Sequence, residues 1–301
     1  MIRVALATVV VLTLAGCDGQ ASTPSQPPSL PSPTASATTT SAPTPGPTAD
    51  RTPAPESAPV QEATITVGSD TRVVDLYVPE TTAAAAAPLL ILLHASGEST
   101  FAMATESHAG ELAAREGVIV ALPPAHGRRW DGMVSPVDPI TPSADATFLV
   151  GLIDELAKQQ QIDTKRVFIA GFSIGAVMSE RMACQFADRM TAVALNAGAP
   201  WSESCSPARP VPILVMHGTS DTTYKISLAR EVVNRWRAAD QCSGNPAVSR
   251  LSDIATAETN DDCAEGVEVK FVQYAGIGHR WFSNPSATDV LWSFFAAAPS
   301  R

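Results

Sequence analysis

The chain has 301 residues, 45% of them hydrophobic and 17% charged, which is enough for one large buried core. Its 20 Lys and Arg stand against 30 Asp and Glu, a formal net charge of −10. That balance, with no basic patch, argues against a nucleic-acid partner, because phosphate backbones are bound by clustered positive charge.

Residues 1–16 read as an export signal. Arg3 supplies the positive end, and Val4 to Leu14 form an apolar stretch too short to remain as a membrane span. It runs into Leu14-Ala15-Gly16-Cys17, which resembles the lipobox of bacterial lipoproteins. The resemblance implies that Cys17 is acylated, becomes the mature N-terminus and anchors the chain to a membrane. Residues 17–61 are rich in Ser, Thr and Pro, with almost nothing aliphatic to bury. Such a segment cannot offset its ordering entropy, so it is expected to be a disordered tether. The folded domain is then expected over 62–301. Cys184, Cys205, Cys242 and Cys263 remain, an even set that suits an oxidising compartment. Three pairings are open, and the two sequence-local bridges, Cys184–Cys205 and Cys242–Cys263, are the expected ones. No C-x-x-C or histidine spacing accompanies them, so no metal site is expected.

Within the domain, strands and helices alternate. Thr64–Val67 and Arg72–Val78 flank Gly68-Ser69-Asp70 as a hairpin. Leu89–Leu93 is apolar without alternation, as in a strand covered on both faces. A helix is expected from Met103 to Glu116, stopping at Gly117, then a strand over Val118–Ala121. Pro142-Ser143 opens a helix with Phe148, Leu149, Leu152, Ile153 and Leu156 at helical spacing. Further strands are expected at Arg166–Ala170, Ala192–Leu195, Val211–Met216 and Val267–Tyr274. Helices are expected at Ile226–Ala239 and around Val290–Phe295. Ser243–Asp262 reads as a polar excursion closed by a disulfide. The pattern predicts a doubly wound, mostly parallel sheet with an antiparallel start.

Gly171-Phe172-Ser173-Ile174-Gly175 stands between the expected strand at Arg166–Ala170 and a helical run beginning at Ala176. Strand, G-x-S-x-G, helix is the context of a nucleophile elbow, which leaves the serine strained and exposed. Chemistry in such sheets lies beyond the carboxyl ends of the strands. Asp221 follows the strand ending at Met216, and His279 follows the strand ending at Tyr274. The order Ser173, Asp221, His279 is that of α/β-hydrolases, with His279 as base and Asp221 fixing its tautomer. Asp240, Asp253, Asp261 and Asp262 lack a preceding buried strand and suit solvated surface. His217 reads as a packed turn residue, and His108 and His126 have no partner pattern. The oxyanion donors are expected to be the N–H of Ile174, freed at the helix start, and that of Ser96, with Ala95 as the next choice.

These residues resemble the secreted polyhydroxybutyrate depolymerase and feruloyl esterase group of α/β-hydrolases, over roughly residues 60–295. The likeness rests on Leu93-His94, Trp130-Asp131, Asp145 before Phe148-Leu149, and Ile162-Asp163 ahead of Arg166-Val167. It continues through the elbow, Met182-Ala183-Cys184, Arg209-Pro210-Val211-Pro212, His217-Gly218-Thr219-Ser220-Asp221 and Gly278-His279-Arg280-Trp281. The resemblance implies the α/β-hydrolase fold and serine-ester hydrolysis through an acyl-enzyme, with no cofactor. Where the family has His-Gly followed by Cys-Gly, this chain has His94-Ala95-Ser96-Gly97, and Arg280 and Phe282 replace a usual Thr and Pro.

Trp281, Trp130 and Tyr224, with Trp201, fall on loops near the expected catalytic edge and are candidates for substrate contact. The reading is therefore an exported, lipid-anchored esterase, monomeric, acting on short-chain, phenolic or hydroxyalkanoate esters. A peptidase or acyltransferase on the same scaffold, or a non-catalytic envelope-binding lipoprotein, are the alternatives.

Overall fold

A computed structural model describes residues 57–80, 86–131, 143–202 and 205–300. The expected signal segment, Cys17 and nearly all of the expected tether lie outside the described residues. Chain order begins with a hairpin of β1 (Val60–Val67) and β2 (Asp70–Tyr77), turning at Gly68 with φ +61°. Then come β3 (Ala87–Leu93), α1 (Thr100–Ser107), α2 (Ala109–Glu116), β4 (Ile119–Leu122) and α3 (Ala144–Gln159). The middle holds β5 (Ile162–Phe172), α4 (Ile174–Gln185), β6 (Ala192–Asn196) and β7 (Ile213–Gly218). The rest is α5 (Ile226–Ala239), β8 (Ala247–Arg250), β9 (Ala255–Asn260), β10 (Val269–Tyr274) and α6 (Ala287–Ala297).

The strands form one sheet in the order β1-β2-β4-β3-β5-β6-β7-β10-β9-β8. From β4 through β10 neighbours run parallel. Every residue of β3, β4, β6 and β7 is buried, as expected of strands with helices on both faces. One face packs Phe148, Leu149, Leu152 and Ile153 of α3 with Val177 and Met182 of α4 and Trp236 of α5. The other packs Met103, Leu112, Leu291, Phe294 and Phe295 from α1, α2 and α6. Among the described residues no helix is long and apolar enough to cross a membrane.

Three expectations are corrected. The helix expected over Met103–Glu116 is two, broken at His108, whose φ is +52°. The break lets α2 bring Gly110 against the segment before β1, where Ala58 N donates to Gly110 O at 3.0 Å. A Cβ at Gly110 would lie 2.2 Å from Ser57 Oγ. Ala58 and β1 thus pack on the rest of the described fold. Second, the polar excursion 243–262 contains β8 and β9, so the sheet is antiparallel at both ends. All four residues of β8 are exposed, so it carries no hydrophobic alternation to read. Third, Asp240 is fully buried at the end of α5, not solvated, and accepts a hydrogen bond from Val211 N at 3.1 Å. Asp253, Asp261 and Asp262 are exposed. The two cystine bridges are Cys184–Cys205 and Cys242–Cys263, the sequence-local pairing.

Candidate active site

β5 lies at the centre of the sheet and delivers Ser173 directly into α4. Ser173 has φ +57° and ψ −119°, a conformation rarely adopted by residues with a Cβ. The glycines around it make this turn sterically possible. A Cβ on Gly171 would come within 2.3 Å of the Gly175 carbonyl, and one on Gly175 within 2.5 Å of Leu93 O. Ser173 N donates to Asn196 O at the end of β6 (3.0 Å), which fixes the elbow to the neighbouring strand.

The loops after β7 and β10 meet beside it. Thr219 N donates to Tyr274 O and Ser220 N to Ile277 O (2.9 and 3.0 Å). Gly218 is needed for this approach, since a Cβ there would stand 2.2 Å from Ile277 O. The loops bring His279 Nε2 to 2.8 Å from Ser173 Oγ and His279 Nδ1 to 2.7 Å from Asp221 Oδ2. Asp221 Oδ1 accepts from Thr223 N and Tyr224 N at 2.8 and 2.9 Å. With its carboxylate so held, Nδ1 of His279 carries the proton and Nε2 is left to accept from the serine hydroxyl. His217 is packed, as expected, and donates from Nε2 to Tyr224 O at 2.7 Å, bracing the same turn. Burial lowers its pKa, keeping it neutral beside Asp221.

Ile174, the first residue of α4, has an N–H with no acceptor inside the helix, and the helix dipole favours negative charge there. Of the two candidates in the loop after β3, Ala95 is already engaged, because its N–H donates to Glu98 Oε2 at 3.0 Å. Ser96 is exposed and lines the cleft containing Ser173. That cleft is about 790 Å³, and its walls include Phe172, Thr223, His279, Arg280, Trp281 and Phe282.

The aromatic candidates separate. Trp281 lines the cleft and is anchored by its Nε1–H to Thr288 Oγ1 at 3.1 Å. Tyr224 stands edge-on to the His279 ring at 5.7 Å between centroids. Trp130 is not at the cleft: it is 1% exposed and donates to His94 O at 3.0 Å. Trp201 is buried, and its backbone N–H donates to Glu180 Oε2 at 2.6 Å. Burial raises the Glu180 carboxyl to about 7, despite the two N–H groups and Arg235 that face it. Both tryptophans pack because their loops need a large anchor against α4 or the β3 loop, a need their loop positions did not reveal. Among the described residues, no group of three or more His, Cys, Asp or Glu side chains could hold a metal ion.

Comparison with known proteins places the chain among esterases. The sequence model of the family described as esterase PHB depolymerase matches residues 73–265. The bifunctional acetylxylan esterase/xylanase XynS20E of Neocallimastix patriciarum is 30% identical over 214 residues, 69% of this chain and 30% of its own length. Feruloyl esterase B of Piromyces equi is 30% identical over 233 residues, 69% of this chain and 42% of its own. The chain therefore spans less than half the length of these two relatives. NocK of Nocardia uniformis subsp. tsuyamanensis, which carries an esterase name, is 32% identical over 93% of this chain and 89% of its own. Among solved structures, an acetyl xylan esterase from Aspergillus awamori superposes with a TM-score of 0.66, over 79% of this chain and 99% of that one. At 16% identity that likeness speaks for the α/β-hydrolase fold.

Proposed function

The chain belongs to the esterase PHB depolymerase family, and from that premise we propose that it is an exported serine esterase hydrolysing carboxylic esters through Ser173, His279 and Asp221. The observation that carries the reading is the pair of contacts at His279, 2.8 Å to Ser173 Oγ and 2.7 Å to Asp221 Oδ2, formed on a strained elbow. Ser173 Oγ attacks the ester carbonyl while its proton passes to His279 Nε2. The carbonyl oxygen gains the negative charge, which the N–H groups of Ile174 and Ser96 stabilise. Collapse breaks the bond to the alcohol oxygen, which leaves with the His279 proton. Water, deprotonated by His279, then attacks the acyl-enzyme, and the carboxylic acid departs as the serine recovers its proton.

The substrates are short-chain acyl, phenolic (feruloyl) or hydroxyalkanoate esters, supported by the relatives' names and by Phe172, Trp281 and Phe282 on the cleft wall. Tyr224, edge-on to His279 but off the cleft wall, is a further candidate for substrate contact. The disulfides support export to an oxidising compartment. The signal over 1–16, lipidation at Cys17, the tether and the membrane as partner rest on Leu14-Ala15-Gly16-Cys17 and the Ser/Thr/Pro composition. The catalytic domain acts as a monomer.

The test is a panel of p-nitrophenyl acetate, butyrate and octanoate, methyl ferulate and a hydroxybutyrate oligomer, run on the domain and on Ser173→Ala. Serine-dependent turnover of at least one member is expected, and the preferred member separates aryl-ester from polyester specificity. No turnover above the variant on any ester would overturn the reading.

A further inference from the structure

The residues Trp130, Asp131 and Asp145 stand out in the sequence yet take no part in the chemistry above. Their contacts form one chain of support that starts at α3 and ends at His94 and Gly97, on either side of Ser96. Asp145, in the first turn of α3, is 1% exposed. Its Oδ1 accepts from Arg72 Nη1 at 2.6 Å and from His126 N at 3.1 Å, and its Oδ2 accepts from Asp131 N at 3.0 Å. Arg72 Nη1 also donates to Pro124 O at 3.0 Å. One carboxylate and its counter-ion thus fix both ends of the segment 124–131.

That segment holds the loop after β3. Ala125 N donates to His94 Nε2 at 3.2 Å, and Trp130 Nε1 donates to His94 O at 3.0 Å. Gly97 N donates to Arg128 O at 3.0 Å, and the Arg128 guanidinium donates to Gly97 O. His94 donates from Nδ1 to Ala95 O at 2.7 Å, so its Nε2 is free to accept only in the neutral tautomer. Ser96 lies between the two residues, His94 and Gly97, that 124–131 grips directly.

We propose that Asp145 is a positioning residue that aims the Ser96 N–H at the developing oxyanion, acting through residues 124–131; this rests on the esterase reading and on Ser96 as donor. A buried ion pair such as Arg72–Asp145 costs desolvation that its attraction need not return, so stability alone is a weak reason for it. A donor that must sit at a fixed place when charge develops is a stronger one, because small misplacements far from the chemistry can cost about a hundredfold in rate.

The experiment compares Asp145→Asn, Trp130→Phe and Ser96→Pro with the wild-type domain on p-nitrophenyl butyrate, alongside inhibition by an alkyl trifluoromethyl ketone. The ketone's serine adduct carries the oxyanion, whereas ground-state binding of the ester does not need it. Asp145→Asn is expected to lower kcat roughly ten- to a hundredfold with KM within about twofold, and to weaken the ketone by a similar factor. Trp130→Phe, which keeps an aromatic ring in the core but removes the pyrrole ring with its donor to His94 O, should show the same pattern at about three- to tenfold, and carries the test if Asp145→Asn does not fold. Ser96→Pro deletes the N–H and should cost about a hundredfold or more. A slow Ser96→Pro with wild-type kcat and ketone affinity in Asp145→Asn or, if that does not fold, in Trp130→Phe would overturn the positioning role alone. A Ser96→Pro at wild-type rate would overturn the donor assignment and the positioning role with it. Loss of kcat without loss of ketone affinity in the brace variants would also overturn it.

Discussion

The elbow at Ser173 and the loop carrying Ser96 face one another across the site, yet they are held in different ways. The elbow is fixed by backbone and sterics: β5 runs straight into α4, its glycines leave no room for a methyl, and Ser173 N is bonded to Asn196 O of the next strand. The Ser96 loop closes on itself only through Glu98 on Ala95 N and the two bonds to Ala95 O, from Glu98 N and His94 Nδ1, and it is held in place from outside by Trp130, Arg128 and Asp145. A local device fails all at once when its backbone is blocked. A distributed one weakens by steps as single bonds are removed.

Substitutions can break or sharpen that contrast. The largest effect belongs to Asp221→Asn, which leaves the loops sewn together but frees His279 to adopt the wrong tautomer; kcat should fall by about 10⁴-fold with an unchanged circular dichroism spectrum. Gly175→Ala tests the elbow. Its methyl would meet Leu93 O and His94 O at 2.5 and 2.7 Å, so backbone must move on both sides of the site. The expected result is a loss of about a hundredfold or more in kcat, with a stability loss of about 1–3 kcal/mol by urea denaturation. A mild effect there would show that the elbow has more slack than its sterics allow. His94→Gln tests the distributed side: it removes the imidazole that bridges Ala95 O and Ala125 N, and should lower kcat by roughly tenfold while KM holds.

The smallest effect on activity comes from Asp240, remote from both loops. Burial raises its carboxyl from 3.8 to about 7, and Oδ2 has no hydrogen-bond partner. The folded state therefore favours the protonated acid. The stability this group contributes is fully present below about pH 4 and is lost as pH rises through about 7. Asp240→Asn should raise the unfolding temperature relative to wild type at pH 8, change it little at pH 4, and leave kcat unaltered. Equal shifts at both pH values would contradict a buried titrating acid.

Much of the site can be read in the sequence because each member follows a strand whose apolar run is plain. Ser173, Asp221 and His279 all come at such ends, and steric rules then dictate their neighbourhood. Trp130 could not be placed that way. Its loop position suggested a substrate contact, whereas its partner is a carbonyl 36 positions away, which no local pattern encodes. Strand β8 was hidden because an exposed edge strand needs no apolar face. The break at His108 follows from where the segment before β1 packs, a tertiary demand that overrides helix periodicity. Asp240 looked like ordinary surface at a helix end because charge alone does not say which side of the helix the next loop covers.

The walls of the cleft carry Glu98, Glu106, Glu111 and Asp289 against Arg115 and Arg280, and the Glu106 carboxyl is raised by burial and by the charge of Glu98. On the proposed reaction the product is an acid that ionises at neutral pH, next to carboxylates of its own sign. Repulsion from these carboxylates then favours departure of the product, and a chain of net charge −10 adds to it. Salt shortens the reach of that field to about 10 Å at 0.1 M, so the free acid competes better as ionic strength rises. A neutral ester meets no such repulsion, so on the proposed reaction the change of charge on hydrolysis favours outward movement of the product.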